Sequence, residues 1–168
     1  AVPSFEAEVR AEGLPQFRVF ERPDAGANMP REPVIAMRYI EPAASNSSAL
    51  GLNIQSIPVA RAAVALSEKT GAPVASAAFA LTQIPEGQDR TGVVLYRSIH
   101  ADEGAGGDAP RGALRGVLFV TLRPAPLLAS MAGDLPHSLR LCLVDTDTTA
   151  AMRRLAGPDG CEAQDLRN

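Results

Sequence analysis

The chain between residues 37 and 97 alternates a helix-like pattern with strand-like patterns, and most candidate binding residues lie there. Four residues recur at the spacing of one helical face and predict its buried side: Val59, Ala62, Ala63 and Leu66. Pro58 fits the first turn of this helix, Gly71 fits the position just after its last turn, and Ser56 is the predicted N-cap. The sequence therefore predicts a helix between Ser56 and Gly71.

Shorter patterns on both sides of this helix predict strands. Residues 34–40 alternate with apolar side chains on both faces, which is typical of a strand in a sheet that is covered on both sides. The other predicted elements of this half are a helix at 3–12, a strand at 16–21, a polar loop at 42–48, an extended piece at 50–54, one bent or two short strands at 74–83, and a strand at 92–99. A helix laid across strands leaves a concave face, so the pattern favours a recognition module.

The second half repeats this order on a smaller scale. Residues 101–115 are rich in Gly, Asp and Pro, and they predict a flexible surface loop because they cannot bury enough apolar surface to become ordered. The elements predicted after it are a strand at 116–122, a helix at 124–132, a strand at 139–145 and a helix or loop at 146–156. We therefore expect an α+β fold with two related lobes, residues 1–100 and residues 116–168, joined by the loop.

Composition and charge narrow the classes of function. With 46% hydrophobic residues, the 168-residue chain can bury a core. Its formal net charge of -3 offers no basic field for a phosphate backbone, so nucleic acid is not expected as a partner. The apolar runs are short and interrupted, so we expect a domain that meets a membrane only through segments flanking it.

The sequence contains no catalytic or metal-binding motif. His100 and His137 lie at no metal-ligand spacing, and Gly104–Gly107 lacks the Lys-Ser/Thr that follows it in a phosphate-binding loop. We therefore expect no cofactor, no metal and no enzyme activity. An esterase-like enzyme is the weakest alternative, and it would need His100 as the base for a nearby serine.

The two cysteines are candidates for a disulfide. Cys142 lies in an apolar, strand-like run, and Cys161 lies in a turn rich in Gly, Pro and Asp. In an oxidising compartment, two cysteines at this separation suggest one bridge that ties the C-terminal tail to a core strand. The alternative is two unrelated reduced thiols, because a sequence does not show the geometry that a bridge requires.

Several motifs resemble those of one family of sensor domains. They are Met37-Arg-Tyr-Ile-Glu-Pro-Ala-Ala-Ser-Asn46, Ala49-Leu-Gly-Leu-Asn53, Ser56-Ile-Pro-Val-Ala-Arg61, Thr70-Gly-Ala-Pro-Val-Ala-Ser76, Leu81-Thr-Gln83 and Gly92-Val-Val-Leu-Tyr96. Their order and spacing resemble the CHASE family, which comprises extracellular or periplasmic sensor domains of membrane receptors joined to histidine kinase or diguanylate cyclase modules. The resemblance covers residues 17–99 well and the remainder loosely.

The resemblance implies a long stalk helix, mostly absent from this chain, followed by two PAS-like lobes with antiparallel sheets, the membrane-distal one binding a ligand. In plant receptors of the family, the ligand is a cytokinin held by an aspartate and by main-chain groups of the strand after the helix. The aspartate matches Asn53 here, and the strand matches Val74, Ala75 and Ser76. An amide carries no charge, so Asn53 departs from the family pattern. Residues 96–100 also depart from the Tyr-x-Pro-Val-Tyr that is usual in bacterial members.

Other side chains of the first lobe are expected to line its pocket. The apolar walls are expected from Tyr39, Phe79, Leu81, Leu95 and Tyr96, and the orienting polar groups from Asn53, Thr82, Arg38 and Arg97. The alternative for Phe79, Leu81 and Leu95 is plain core packing, and for Asn53 it is a role in a turn or cap. If both arginines point inward, they favour a ligand with a carboxylate.

The leading prediction is a sensor domain on the periplasmic or extracellular side of a membrane receptor. It would bind a small molecule, either purine-like or a small carboxylate, and signal to a cytoplasmic output domain, with a homodimer as one arrangement open to it. The alternative is a structural or dimerisation ectodomain whose lobes are held shut and contain no ligand pocket.

Overall fold

The structure is a computed structural model, and it describes residues 2–22, 33–101, 112–133, 135–136 and 138–163. The α-helices are α1 (Val2–Ala11), α2 (Ala43–Asn46), α3 (Pro58–Thr70) and α4 (Pro124–Ala132). The strands are β1 (Val74–Ala75), β2 (Phe79–Ala80), β3 (Thr91–His100), β4 (Leu114–Leu122), β5 (Leu143–Val144) and β6 (Arg154–Ala156). Turns of 3-10 helix lie at Ser47–Ala49, Ile54–Ser56 and Cys161–Ala163. The fold is α+β with antiparallel sheets, as predicted.

The main sheet is centred on β3. The short strands β1 and β2 pair with β3, and β4 pairs with it from Val93 opposite Leu122 to His100 opposite Leu114. Alternate residues of β3 are buried, namely Gly92, Val94, Tyr96, Ser98 and His100. This period of two is the signal from which the strand at 92–99 was predicted, and the prediction is confirmed.

β4 crosses the predicted boundary between the lobes. It begins at Leu114, inside the predicted loop at 101–115, and ends at Leu122. Since it pairs along its length with β3, one sheet extends across the boundary. Most of the predicted loop, residues 102–111, lies outside the described residues. The division into two PAS-like lobes stays a prediction.

α3 confirms the predicted helix, but its buried side differs from the predicted one. It ends at Gly71, which has the left-handed conformation (φ 69°) expected of a residue after a helix. The buried residues are Ala60, Ala63, Val64 and Ser67, one position along from the predicted stripe for three of them, and Leu66 is 48% exposed. Alanine occupies positions on several faces of this helix, so its pattern of hydrophobicity does not fix which face turns inward.

The prediction that Ser56 caps α3 is wrong. The N-cap is Ile57, which has no side-chain cap bond. The Ser56 hydroxyl instead donates to Asn53 O at 2.6 Å and accepts from Arg22 N at 3.0 Å. It therefore ties the chain before the helix to residues around 22, and it does not satisfy the first turn of the helix itself.

Two serines join α3 to the sheet through buried hydrogen bonds. Ser67 Oγ accepts from Ser98 N at 3.0 Å and donates to Ala72 O at 2.8 Å. Ser98 Oγ donates to Val64 O at 3.5 Å. Buried polar groups are unfavourable unless they are paired, so these bonds allow two small polar side chains to lie inside the interface.

The main core lies between α3, β3 and the turn before the helix. Its buried members are Leu52, Ile54, Ile57, Ala60, Ala63, Val64, Leu81, Val94 and Tyr96. Tyr96 is 3% exposed, and burial raises the pKa of its phenol above the ordinary value. Phe79 and Val74 pack against this cluster from its edge.

Residues 50–53 lie between two other extended pieces and bond to both. On one side, Phe20 N donates to Gly51 O at 3.0 Å, and Asn53 N donates to Phe20 O at 2.8 Å. Gly51 is required at this crossing, because its φ is 89° and a Cβ there would lie 1.9 Å from Arg18 O. The strand predicted at 16–21 is reduced to the single bridge between Phe20 and Leu52.

The predicted N-terminal helix is confirmed as α1. It packs on the residues that follow it, with Val9 only 1% exposed and the rings of Phe5 and Phe17 edge to face at 5.7 Å. Arg10 Nε donates to Phe17 O at 2.8 Å, and Val19 N donates to Glu6 Oε1 at 2.7 Å. These contacts attach α1 to residues 17–19.

Three predictions outside the main sheet need correction. The predicted loop at 42–48 contains α2 and the start of a 3-10 turn, and the predicted strand at 139–145 is reduced to β5. The segment at 146–156, predicted as helix or loop, ends in β6, which pairs with β5. The physical reason is a pair of turns in which Asp145 and Asp147 accept from backbone N–H groups two residues ahead at 2.9 and 2.8 Å, which reverses the chain.

The helix predicted at 124–132 is confirmed as α4, and the bond predicted between the cysteines is present. Cys142 and Cys161 form a disulfide with their Cα atoms 6.0 Å apart, which joins the C-terminal turn to the chain just before β5. Within the described ranges, no helix combines the length and the apolar character needed to cross a membrane.

Candidate ligand-binding cleft

Residues 34–42, here called the wall segment, form one side of the candidate site. Met37 N donates to Leu52 O at 3.0 Å, Gly51 N donates to Met37 O at 2.8 Å, and Ile54 N donates to Ile35 O at 3.0 Å. Successive residues of an extended chain direct their backbone groups to opposite edges, so the edge that carries Ala36 and Arg38 faces away from residues 51–54. The predicted strand at 34–40 is thus extended, but its ladder is reduced to one bridge.

A cleft of about 1040 Å³ opens between the wall segment and β4. Its inner surface is apolar, and most of the side chains there also touch the core: Ile35, Met37, Ile54, Ile84, Val117 and Phe119. This volume lies at the upper end of the range of small-molecule sites, about 300–1,000 Å³. The cleft therefore offers both space and apolar contact area for a small molecule.

The charged residues around the cleft are mostly cationic. Arg38, Arg115 and Arg123 line it, with Glu41 as the carboxylate that also lines it. Arg123 is partly engaged, since one of its terminal nitrogens donates to Asp89 O at 3.4 Å. These arginines are groups in the lining that could bind a negatively charged group of a ligand.

Arg38 has the most detailed surroundings of these residues. One terminal nitrogen lies 3.5 Å from Glu8 Oε1, and the other donates to Glu12 Oε2. The hydrogen bond to Glu12 raises the pKa of the Arg38 guanidinium above its ordinary value, so the group stays charged. Its carbon Cζ lies 5.1 Å from the centre of the Tyr39 ring, and Tyr39 is 70% exposed.

Two of the predicted site residues line the cleft, and a third precedes a lining residue in the chain. Arg38 and Tyr39 line it, while Thr82 directly precedes the lining residue Gln83. The hydroxyl of Thr82 is buried and has no hydrogen-bond partner among the described residues. Arg97 is not brought to Arg38, because it lies opposite Leu118 on the other face of the sheet from Val117 and Phe119.

Asn53 is fully buried, and its side-chain amide forms hydrogen bonds within the protein. Its Oδ1 accepts from Ile35 N at 3.1 Å and from Gln55 N at 3.2 Å. Its Nδ2 donates to Glu21 Oε1 at 3.0 Å. Asn53 is not among the residues that line the cleft, and these bonds give it the turn-and-cap role that was its alternative. Its predicted ligand contact stays a prediction.

The remaining predicted contacts lie in the sheet and its core. Val74 and Ala75 form β1 and pair with β3, and Ser76 continues this pairing, since its N–H donates to Val94 O at 2.9 Å and its hydroxyl accepts from Val94 N at 3.1 Å. Phe79 and Tyr96 pack in or on the core. These residues are separate from the cleft lining, and their ligand contacts stay predictions.

Sequence reasoning missed the side of the cleft that β4 supplies. Val117 and Phe119 were assigned to a second lobe, and Arg115 to the loop before it, away from the predicted binding residues. No local signal places them, because residues 116–122 carry apolar side chains on both faces, yet Leu118 and Val120 on one of those faces stay exposed. The part of the chain that the structure describes holds no group of three His, Cys, Asp or Glu side chains suited to a metal ion.

Comparison with known proteins agrees with the motifs in the wall segment and α3. A family model described as the CHASE domain matches residues 1–155, which is most of the chain. No curated protein matches the chain. CHASE domains are sensor modules that lie outside the cytoplasm. The chain therefore belongs to the CHASE family, the extracytoplasmic sensor domains of receptors.

Proposed function

We propose that this CHASE domain binds a small-molecule ligand in the cleft between the wall segment and β4, and signals to a cytoplasmic histidine kinase or diguanylate cyclase domain of the same receptor. The observation that supports this proposal is the cleft itself, about 1040 Å³ with an apolar inner surface and a mostly cationic rim. The PAS-like division into a distal and a proximal lobe belongs to the same proposal.

Of the two ligand classes expected from the sequence, the small carboxylate fits the rim better. Arg38 and Arg115 both line the cleft, and Arg115 has no ion-pair partner among the described residues. A guanidinium binds a carboxylate through two parallel hydrogen bonds. A purine-like ligand would instead use neutral groups such as Gln83 and Asn46, which also line the cleft.

The position of the cleft suggests how binding changes the domain. A ligand there contacts the wall segment on one side and β4 on the other. If it binds more tightly when these two elements are closer together, it shifts the domain toward that arrangement by its difference in affinity for the two states. The output domain of the receptor would respond to this shift between the two arrangements.

The experiment is a thermal-unfolding screen of the isolated domain against a panel of purines and small carboxylates. A compound at a hundredfold excess over its Kd should stabilise the domain by about 2.7 kcal/mol, which is a rise in Tm of roughly 5–10 °C for a chain of this size. Calorimetry then gives the affinity of each compound that raises the Tm.

A pair of matched substitutions locates the site. Ala36 lines the cleft, so Ala36→Trp should fill it and abolish the ligand-dependent rise in Tm. Ala65 lies on the exposed face of α3, so Ala65→Trp should keep that rise. The proposal is wrong if no compound of either class stabilises the domain, or if both variants respond like the parent protein.

The dimerisation alternative has one observation in its favour. On the outer face of β4, Leu118 and Val120, which also border the cleft, are 64% and 59% exposed, beside the partly exposed Leu122. Adjacent exposed apolar side chains of this kind mark interaction surfaces. Analytical ultracentrifugation of Val120→Glu tests this role: a concentration-dependent dimer that the substitution abolishes supports it, and a monomer at all concentrations excludes it for the isolated domain.

A further inference from the structure

Arg38 connects the N-terminal helix to the cleft. It is paired with Glu8, in the last turn of α1, and with Glu12, the residue that directly follows the helix, so both carboxylates reach the same guanidinium. Arg38 thus makes a polar attachment between the wall segment and the C-terminal end of α1. The helix also contributes Phe5 to the lining of the cleft.

The Arg38 side chain still has an unused donor. Its Nε is buried and has no hydrogen-bond partner within the described part of the chain. A guanidinium carries five N–H donors in a flat fork that matches the oxygens of a carboxylate or a phosphate. An acid group that enters the cleft can therefore make bonds to Arg38 that the two glutamates leave unmade.

The two glutamates hold Arg38 from positions that water reaches. The side chains of Glu8 and Glu12 are 61% and 47% exposed, whereas that of Arg38 is 24% exposed. Exposed ion pairs are weak because water and salt screen them. The same guanidinium in a cleft with apolar walls attracts an acid more strongly, because screening is weaker there.

We propose that the ligand of the cleft is an anionic molecule with an apolar body, and that its acid group takes Arg38 away from Glu8 and Glu12. When a ligand occupies the cleft, α1 then loses its polar attachment to the wall segment. This inference rests on the proposed function, since it requires the cleft to be the ligand site. Carboxylates and phosphates share the required chemistry, and the experiment below separates them.

The release of Arg38 loosens α1 without detaching it. Val9 stays buried, Phe5 stays against Phe17, and Arg10 still donates to Phe17 O. These contacts hold the helix to residues 17–19. The helix therefore has one attachment that does not depend on Arg38 and one that the ligand removes.

The first experiment needs no ligand. Hydrogen exchange of the α1 amides is compared between the parent domain, Glu8→Gln with Glu12→Gln, and the control Glu86→Gln, which changes an exposed glutamate in a distant turn. We expect exchange in α1 to be about two- to fivefold faster in the double variant, as for the loss of exposed ion pairs, and unchanged in the control. Equal exchange in all three overturns this inference and leaves the proposed ligand site standing.

The second experiment uses benzoate, phenyl phosphate and the neutral analogue benzamide as probes. Calorimetry should show at least one acid binding roughly tenfold more tightly than benzamide, and Arg38→Gln should remove that preference. Which acid binds more tightly identifies carboxylate or phosphate as the preferred group. Hydrogen exchange in α1 should rise when the acid is bound.

The outcomes separate the two proposals. If benzamide binds as tightly as both acids, or if a bound acid leaves α1 exchange unchanged, the role of Arg38 is wrong while the cleft remains a ligand site. If no probe binds, or if Ala36→Trp leaves probe binding unchanged, both proposals fail.

Discussion

The inner face of the sheet is covered in two different ways. Over β3 it is closed by α3, where Ser67 and Ser98 form hydrogen bonds across the interface. Over β4 it borders the cleft, where Arg38 Nε is buried without a partner among the described residues. The paired residues Tyr96 and Phe119 lie on this same face. The face therefore packs against the core over β3 and borders the open cleft over β4.

The difference follows from which side chains meet. Small residues on the buried side of α3 allow its backbone to approach the sheet closely, and Ser67 and Ser98 form hydrogen bonds there. The wall segment is held along one edge by residues 51–54, and its other edge is left open toward β4. Satisfied, close packing stabilises the fold, while unsatisfied donors beside apolar surface are suited to binding.

The largest loss of stability is expected at Asn53, which anchors the wall segment. Asn53→Ala removes the acceptor of Ile35 N and Gln55 N and the donor to Glu21, so the free energy of unfolding should fall by about 3 kcal/mol. Urea denaturation measures it. Asn46→Ala is the control, since its amide bonds are at the exposed surface, and an equal loss in both variants would contradict the anchoring role.

A smaller loss is expected inside the α3 interface. Ser67→Ala leaves Ser98 N and Ala72 O without their partner and should lower the free energy of unfolding by about 2 kcal/mol. The exposed Ser48→Ala serves as the control and should stay within about 0.5 kcal/mol of the parent. If Ser67→Ala is equally neutral, the hydrogen bonds across this interface do not contribute to stability.

At Thr82, which precedes the cleft residue Gln83 in the chain, a similar substitution should change stability in the opposite direction. Thr82→Val replaces a buried hydroxyl that has no partner among the described residues by a methyl group of similar shape, so stability should be unchanged or rise by up to about 1 kcal/mol. Thr149→Val is the comparison, because its hydroxyl donates to Asp147 Oδ1 at 2.7 Å. A clear loss of stability in Thr82→Val would show that the hydroxyl is satisfied in solution.

The smallest expected change in stability comes from Tyr96, and it appears only at high pH. Burial raises the pKa of Tyr96 above that of the unfolded chain, so its contribution is fully present below about pH 10 and is lost as the pH rises above that value. Tyr96→Phe should remove this alkaline loss while changing stability little at neutral pH. Urea titrations at pH 7 and above pH 10 measure the difference, and an unchanged pH profile in the variant would contradict the assignment.

The residues that line the cleft were harder to predict than the elements that carry them. Arg38 and Tyr39 follow from the motif at 37–46, and the structure places both at the cleft. Asn53 occupies the family's aspartate position, but its donor bond to Glu21 explains why an amide suits this buried place: a carboxylate there would face another carboxylate. Neither the Glu21 contact nor the part of the cleft formed by β4 can be deduced from residues near Asn53 in the sequence.

The sequence by itself determined the elements whose patterns are local. α3 with its glycine end, β3 with its alternating burial, and α4 follow from spacing and from the preferences of Pro and Gly, which act within a few residues. The family follows from motifs within one stretch of chain. The tertiary structure alone decided the inward face of α3, the pairing of β4 with β3, and the gap that leaves Arg38 between α1 and the cleft. These depend on contacts between residues far apart in the chain, where several arrangements satisfy the same local pattern and only packing selects among them.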